Sequence, residues 1–161
     1  MYSIRQATHA DINRMADIES VCFPESEAAS LESFQTRFSA FPECFYVLEL
    51  EGIVVGHING CVYSAPELPD ALYSDVSLHC PNGAYQTVFG LAVEPQYQNR
   101  GYASALTKHF IEVSRLGKRE GMVLTCKDYL VKFYERLGFI HGGVSASSHG
   151  GARWNDMVLT F

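Results

Sequence analysis

The stretch Gln98-Asn99-Arg100-Gly101-Tyr102-Ala103 lies between a short apolar run and an amphipathic segment, Ala103, Leu106, Phe110 and Val113 marking its apolar face. Backbone N–H groups in the first turn of such a helix lack intrahelical partners, and the helix dipole adds positive charge there. Such a turn suits a phosphate. Gly101 permits close backbone approach, and Ala103 followed by Ser104 keeps side-chain bulk low. The plainer alternative is a polar turn with an incidental glycine. Two other phosphate loops are excluded, because neither G-x-x-x-x-G-K-S/T nor G-x-G-x-x-G occurs.

Other residues have the chemistry but a less specific setting. Tyr134 shares a helical stripe with Leu130, Phe133 and Leu137, and spacing alone favours core packing for it. Glu27 lies in a small, polar segment between two helices, and His79 precedes the turn Pro81-Asn82-Gly83. Both types also serve as solvated surface groups. His57 sits mid-strand and reads as a core or sheet residue, while His9, His109, His141 and His149 read as surface or loop positions. Trp154 and the nine tyrosines fit either a core or a cavity wall. The five cysteines, Cys22, Cys44, Cys61, Cys80 and Cys126, have no C-x-x-C pair, and no Cys/His cluster has metal-ligand spacing. No metal site and no disulfide framework are expected.

The elements that must position these residues follow from periodicity and turn signals. Tyr2–Ala7 reads as a strand, and Thr8 with Asp11 as a capping box opening a helix that Pro24 ends. A second helix is expected over Leu31–Ser39, then strands Phe45–Leu50 and Ile53–Tyr63 about the hairpin turn Glu51-Gly52. Ser64–Asp75, with two prolines, reads as a loop. Tyr85–Val93 reads as one strand, Gly101–Gly117 as the main helix and Met122–Cys126 as a buried strand. Gly138 terminates the Leu130–Leu137 helix. Phe139–Ser145 and Arg153–Phe161 read as a last strand pair around the loop Ala146–Ala152. The expected fold is a mixed α/β domain over residues 1–161 with one mostly antiparallel sheet flanked by helices.

Composition bounds the function. The 161 residues are 47% hydrophobic and 19% charged, which argues against disorder. With 12 Lys and Arg against 18 Asp and Glu, the formal charge is -6. A general nucleic-acid binder needs a basic face, so the charge argues against that class. No run approaches the ~20 apolar residues of a membrane span. No apolar signal segment follows Met1, so a cytoplasmic protein with reduced thiols is expected.

The Gln98-x-x-Gly101-x-Ala103 pattern resembles the Q/R-x-x-G-x-G/A motif of the GCN5-related N-acetyltransferases, the GNAT superfamily. Phe133-Tyr134-Glu135-Arg136-Leu137-Gly138-Phe139 is similar to that superfamily's F-Y-x-x-x-G-F signature. Within it, Ser77–Gly83, Leu91-Ala92-Val93, Cys126-Lys127-Asp128 and Phe133–Arg136 resemble the arylalkylamine (serotonin) N-acetyltransferases, as does Phe23 after Ile18-Glu19-Ser20. The likeness runs over residues 10 to 161 and is most specific from 77 to 139. Where vertebrate members carry two histidines for a proton path, this chain has Thr87 and Phe89, so it resembles the non-vertebrate branch.

The resemblance implies a GNAT fold, acetyl-CoA as co-substrate and no metal. It implies that pantetheine pairs with the Leu91-Ala92-Val93 backbone and that Gln98, Asn99, Arg100, Gly101, Tyr102, Ala103 and Ser104 hold the pyrophosphate. It implies direct attack by a neutral amine on the thioester, with Tyr134 touching the cofactor and protonating the leaving thiolate. Phe23, Pro24 and Glu27 are expected to line the amine site. A primary alkylamine has a pKa of ~10.4, so only about one molecule in 10³ is neutral at pH 7, and a proton acceptor is needed. Glu27 is the first candidate and His79 the second. The expected partner is a small amine, with neither nucleic acid nor membrane, and a homodimer is compatible with the sequence. The competing readings are acetylation of a protein N-terminus or lysine, and a non-catalytic acyl-CoA-binding module.

Overall fold

The computed structural model describes residues 1–161. In chain order the elements are β1 (Tyr2–Gln6), α1 (Ile12–Cys22), α2 (Leu31–Ala40), β2 (Phe45–Leu50), β3 (Ile53–Asn59), β4 (Val62–Tyr63), α3 (Ala71–Ser74), β5 (Tyr85–Val88), β6 (Gly90–Val93), α4 (Tyr102–Leu116), β7 (Gly121–Cys126), α5 (Val131–Arg136), β8 (Ile140–Val144) and β9 (Asn155–Thr160). They form two compact units, residues 1–60 with 90–110, and residues 61–89 with 111–161.

The first unit holds an antiparallel sheet in the order β1-β2-β3-β6. Its hairpin closes as the sequence predicts, because Glu51 (φ 48°) and Gly52 (φ 82°) both take the left-handed conformation of a two-residue turn. Asp11 accepts the Thr8 N–H at 2.7 Å, so the capping box forms and opens a short 3-10 turn, His9–Asp11, ahead of α1. α1 packs on β3, β6 and α2, burying Ile12, Met15, Ile18 and Glu19. Phe34, Phe45, Leu48, Ile58 and Leu106 complete a fully buried core.

The second unit holds a five-stranded sheet, β4-β5-β7-β9-β8, in which β5 and β7 run parallel and the other pairs antiparallel. Its core is Val62, Leu72, Met122, Leu124 and Met157. α5 packs against β8 and β9.

The mixed, mostly antiparallel architecture matches the expectation, but the strands divide into two sheets rather than one. Tyr85–Val93 is not one strand: Phe89 leaves the extended ladder, and β5 and β6 pair in different sheets. Ile53–Tyr63 likewise breaks at Gly60-Cys61. Thr87 marks that break, donating its hydroxyl to the Cys61 carbonyl at 2.9 Å while its own N–H also bonds there. The Ser64–Asp75 loop contains the helical turn α3. No helix is long and apolar enough to cross a membrane.

Candidate active site

In the first unit the turn before α4 is built from backbone. Asn99 (φ 62°) and Gly101 (φ 83°) are left-handed, and an added Cβ at Gly101 meets nothing within 4 Å. The first helical bond runs from the Ala105 N–H to the Gly101 carbonyl, so the amides of Tyr102, Ala103 and Ser104 have no partner inside α4. Gln98 ties the turn to β6 by donating Nε2–H to the Val93 carbonyl at 2.9 Å. Arg100 donates to the Gln96 carbonyl and lies over the Tyr97 ring. Exposed left-handed backbone beside unpaired amides can receive an anionic oxygen.

Leu91, Ala92 and Val93 lie on β6, the last strand of its sheet, so one edge of β6 has no strand partner there. An extended amide chain can add to such an edge by strand-like pairing. The Val93 carbonyl already accepts from Gln98 and from the Cys22 thiol at 3.2 Å. Added pairing therefore falls to Leu91 and to the Val93 N–H.

Phe23 caps α1, its N–H bonded to the Glu19 carbonyl, and Pro24 follows exposed. The N–H groups of Glu27 and Ala28 both bond to the Pro24 carbonyl, at 2.8 and 2.9 Å, coiling this segment into a tight turn. Glu27 is half-buried, with one carboxylate oxygen out of solvent. The turn thus brings Phe23, Pro24 and Glu27 together.

Tyr134 and His79 belong to the second unit. Tyr134, on α5, is 5% exposed and sits edge-on to Phe133 and Phe139. Burial, then the neighbouring Cys126 and Tyr129, push its phenol well above the usual tyrosine range. It remains a protonated donor at any ordinary pH. Burial and the Asp128 charge push the Cys126 thiol up to about 11. His79 is engaged structurally: its Nδ1 accepts the Val62 N–H at 3.0 Å, which leaves the proton of the neutral ring on Nε2. In that tautomer Nε2 is a donor and Nδ1 is occupied.

Four rings in the second unit form a continuous run: Phe89 to Tyr73 (4.8 Å), Tyr73 stacked on His149 (5.1 Å), and His149 to Trp154 (5.9 Å). All four are half-buried. Ser147 and Ser148 donate to the Asp70 carboxylate, joining the two loops that carry Tyr73 and His149. Tyr73 Oη lies 3.5 Å from Thr125 Oγ1, next to Cys126 at the end of β7.

One cluster of functional groups escaped the sequence reading. Glu19, His57 and Asn59 converge in the first unit, where His57 was expected to be an ordinary core residue. Two signals were present. Glu19 follows Ile12 and Met15 at i+7 and i+4, a carboxylate on the apolar face of α1. His57 and Asn59 alternate on one face of β3.

The Acetyltransferase (GNAT) family matches residues 12–139. Serotonin N-acetyltransferase of Mesocricetus auratus is 29% identical over 110 residues, 66% of this chain, and the chain spans about half (51%) of that relative's length. Among solved structures, the loading GNATL domain of CurA from Lyngbya majuscula superposes with a TM-score of 0.85 at 16% identity, covering 99% of this chain and 98% of that one. The ribosomal-protein-S18-alanine N-acetyltransferase of Escherichia coli does so with 0.73 at 19% identity, covering 99% and 94%. Left-handed turn, strand edge and family match agree: the chain belongs to the acetyltransferase (GNAT) family.

Proposed function

We propose that this chain is an N-acetyltransferase that moves the acetyl group of acetyl-CoA to a small primary amine carrying an aromatic group. The observation that carries the aromatic preference is Phe23, half-buried at the end of α1 where the coiled segment through Glu27 begins. An aromatic ring on the acceptor would find faces and edges to pack on there. The likeness to serotonin N-acetyltransferase supports the same reading.

The residues present fit acetyl-CoA in two respects. The left-handed turn at 98–104 offers unpaired amides and open space at Gly101 for the pyrophosphate. The edge of β6 offers Leu91 and the Val93 N–H to the pantetheine amides. Acetyl-CoA supplies an activated thioester, and an N–H near Leu91 would polarise its carbonyl as the neutral amine attacks. Tyr134, held protonated by burial, is the assigned donor to the leaving thiolate. The coiled segment Phe23–Glu27 is assigned to the amine, with the Glu27 carboxylate attracting the ammonium form. His79, its Nδ1 lone pair occupied by Val62, ranks below Glu27 as a proton acceptor.

Thiol release from acetyl-CoA measured across tryptamine, phenethylamine, aliphatic amines and lysine-containing peptides tests the reading. The aryl-alkyl amines are expected to give the highest kcat/KM. A preference for peptides would move the assignment to protein acetylation, and no release with any amine would leave an acyl-CoA-binding module.

A further inference from the structure

Glu19, His57 and Asn59 are 5%, 0% and 2% exposed, and each keeps a polar atom out of any hydrogen bond: Glu19 Oε1, His57 Nε2 and Asn59 Oδ1. Glu19 Oε1 and His57 Nε2 face one another at 3.5 Å without hydrogen-bond geometry. Asn59 Nδ2 reaches His57 Nδ1 at 3.3 Å, which places the ring proton on Nε2, toward Glu19. Burying three polar side chains costs free energy, and leaving them under-satisfied costs more.

Its position assigns it a task. A Cβ built on Gly90 would meet Glu19 Oε1 at 3.3 Å, Asn59 Nδ2 at 3.7 Å and His57 Cε1 at 3.8 Å, so the cluster abuts the backbone one residue before Leu91. Glu19 Oε2 accepts the Ala29 N–H at 3.0 Å, just beyond Glu27. One carboxylate thus lies beside the strand assigned to the thioester and bonds the backbone two residues beyond the segment assigned to the amine.

We propose that Glu19, in place of Glu27, is the proton acceptor for the amine, directly or through one water, that His57 and Asn59 are positioning residues that hold its carboxylate, and that Glu27 keeps only the attraction of the ammonium form. The proposal rests on the amine-acetylating reading above. Of the three protons on an ammonium nitrogen, one remains in the amide product, one ends on the coenzyme A sulfur and one leaves to solvent. Glu19 Oε1 takes that last proton before attack and releases it afterwards. The new C–N bond forms as the C–S bond breaks, and no redox step is involved. This route replaces the one closed at Thr87, whose hydroxyl is committed to Cys61, and at Phe89.

Around the cluster, α1 contributes Glu19 and Cys22, whose thiol is pushed up by burial and by the Glu19 charge. α2 contributes the Phe34 ring, edge-on to His57 at 5.5 Å. Among charged side chains on the surrounding elements, Arg14 is paired with Glu94, and Arg37 is buried on α2.

Initial rates with tryptamine and acetyl-CoA, followed from pH 5 to 9 in wild type, Glu19→Gln and His57→Gln, test the assignment, with acetyl-CoA binding measured in parallel by calorimetry. Glu19→Gln is expected to lower kcat/KM at pH 7 at least tenfold and to abolish the acid limb, with acetyl-CoA affinity within about twofold of wild type. His57→Gln is expected to move that limb without removing it. A merely structural role would lower thermal stability and leave the shape of the profile unchanged. If Glu19→Gln does not fold, Glu19→Asp, which keeps the charge and retracts it by one methylene, is expected to lower kcat and keep the limb. A wild-type acid limb in Glu19→Gln, or wild-type kcat in Glu19→Asp, overturns the proposal while leaving the acetylation reading standing. A wild type that acetylates no amine overturns both.

Discussion

The turn at 98–104 and the segment around Tyr134 would offer a ligand opposite kinds of chemistry. The turn is exposed, and what it offers a ligand is main chain: left-handed backbone at Asn99 and Gly101 and the first amides of α4. Tyr134 is buried between Phe133 and Phe139, and what it offers is one hydroxyl on a ring that also fills the core. A backbone-built site is insensitive to most side-chain changes and sensitive to anything that alters φ or fills the space in front of it. A side-chain site embedded in packing would have two functions on one residue. Only a substitution that removes one of them separates the two.

Tyr134→Phe is that substitution, and the largest effect is expected from it. The ring remains against Phe133 and Phe139 while the donor disappears. We expect kcat to fall by roughly 10²-fold, with thermal stability nearly unchanged. Tyr134→Ala should lose both functions, costing about 3–5 kcal/mol of stability as a buried aromatic does. Wild-type turnover in Tyr134→Phe, at saturating amine and across pH, would reduce Tyr134 to packing alone and erase the contrast.

At the turn the informative pair is Gly101→Ala and Gly101→Glu. Both place a side chain at φ 83°, and both carry the same backbone strain, roughly 1–2 kcal/mol. In both the added Cβ has open space, with nothing within 4 Å. Only the glutamate adds a negative charge where the pyrophosphate is assigned. We expect calorimetry to show acetyl-CoA binding at least tenfold weaker in Gly101→Glu than in Gly101→Ala, about 1.4 kcal/mol. Equal affinities would mean that the turn holds no anion.

The same contrast explains what the sequence could reveal. The conformation of the turn was legible because such backbone leaves local marks: a glycine where φ must be positive, small residues after it and a helix behind it. The capping box at Thr8 and Asp11 and the Glu51-Gly52 hairpin were legible for the same reason. The role proposed for Tyr134 rests on the family likeness alone, since its spacing equally describes a core residue, and its burial agrees with the packing reading. The breaks at Phe89 and Gly60-Cys61 were not legible. Each is set by which strand lies alongside, and Thr87 reaching Cys61 spans 26 residues of sequence. The Glu19, His57 and Asn59 cluster comes from α1 and β3, and neither element alone tells which polar residue its partner presents.

A third site supplies the baseline for a change that affects the fold alone, and the smallest effect is expected there. Asp11 pairs with Arg5 through two bonds, Oδ2 to Nη1 at 2.7 Å and Oδ1 to Nη2 at 3.0 Å, and also accepts the Thr8 N–H. The Arg5 hydrogen bonds, chiefly, hold the Asp11 carboxyl below the usual carboxylate range, against the opposing cost of burial. A carboxylate depressed in the folded state contributes stability that is fully present above its unfolded pKa of ~3.9. That contribution is lost as the pH falls through the lower folded value. The Arg5 side chain is 37% exposed, so solvent and salt screen the pair, and about 1 kcal/mol is the expected size. Asp11→Asn should therefore unfold at lower denaturant than wild type at pH 7. The gap should narrow once the pH drops below ~4, because the wild type then loses the same charge. Added salt should narrow it at pH 7. Neither kcat nor acetyl-CoA affinity should change. A gap that persists undiminished at pH 2 would show that Asp11 stabilises α1 through its cap to Thr8 rather than through its charge. A change in kcat would show that the α1 end of the molecule is coupled to the chemistry. In that event effects at Glu19, on the same helix, would need a double-mutant cycle with Asp11 before they were assigned to proton transfer.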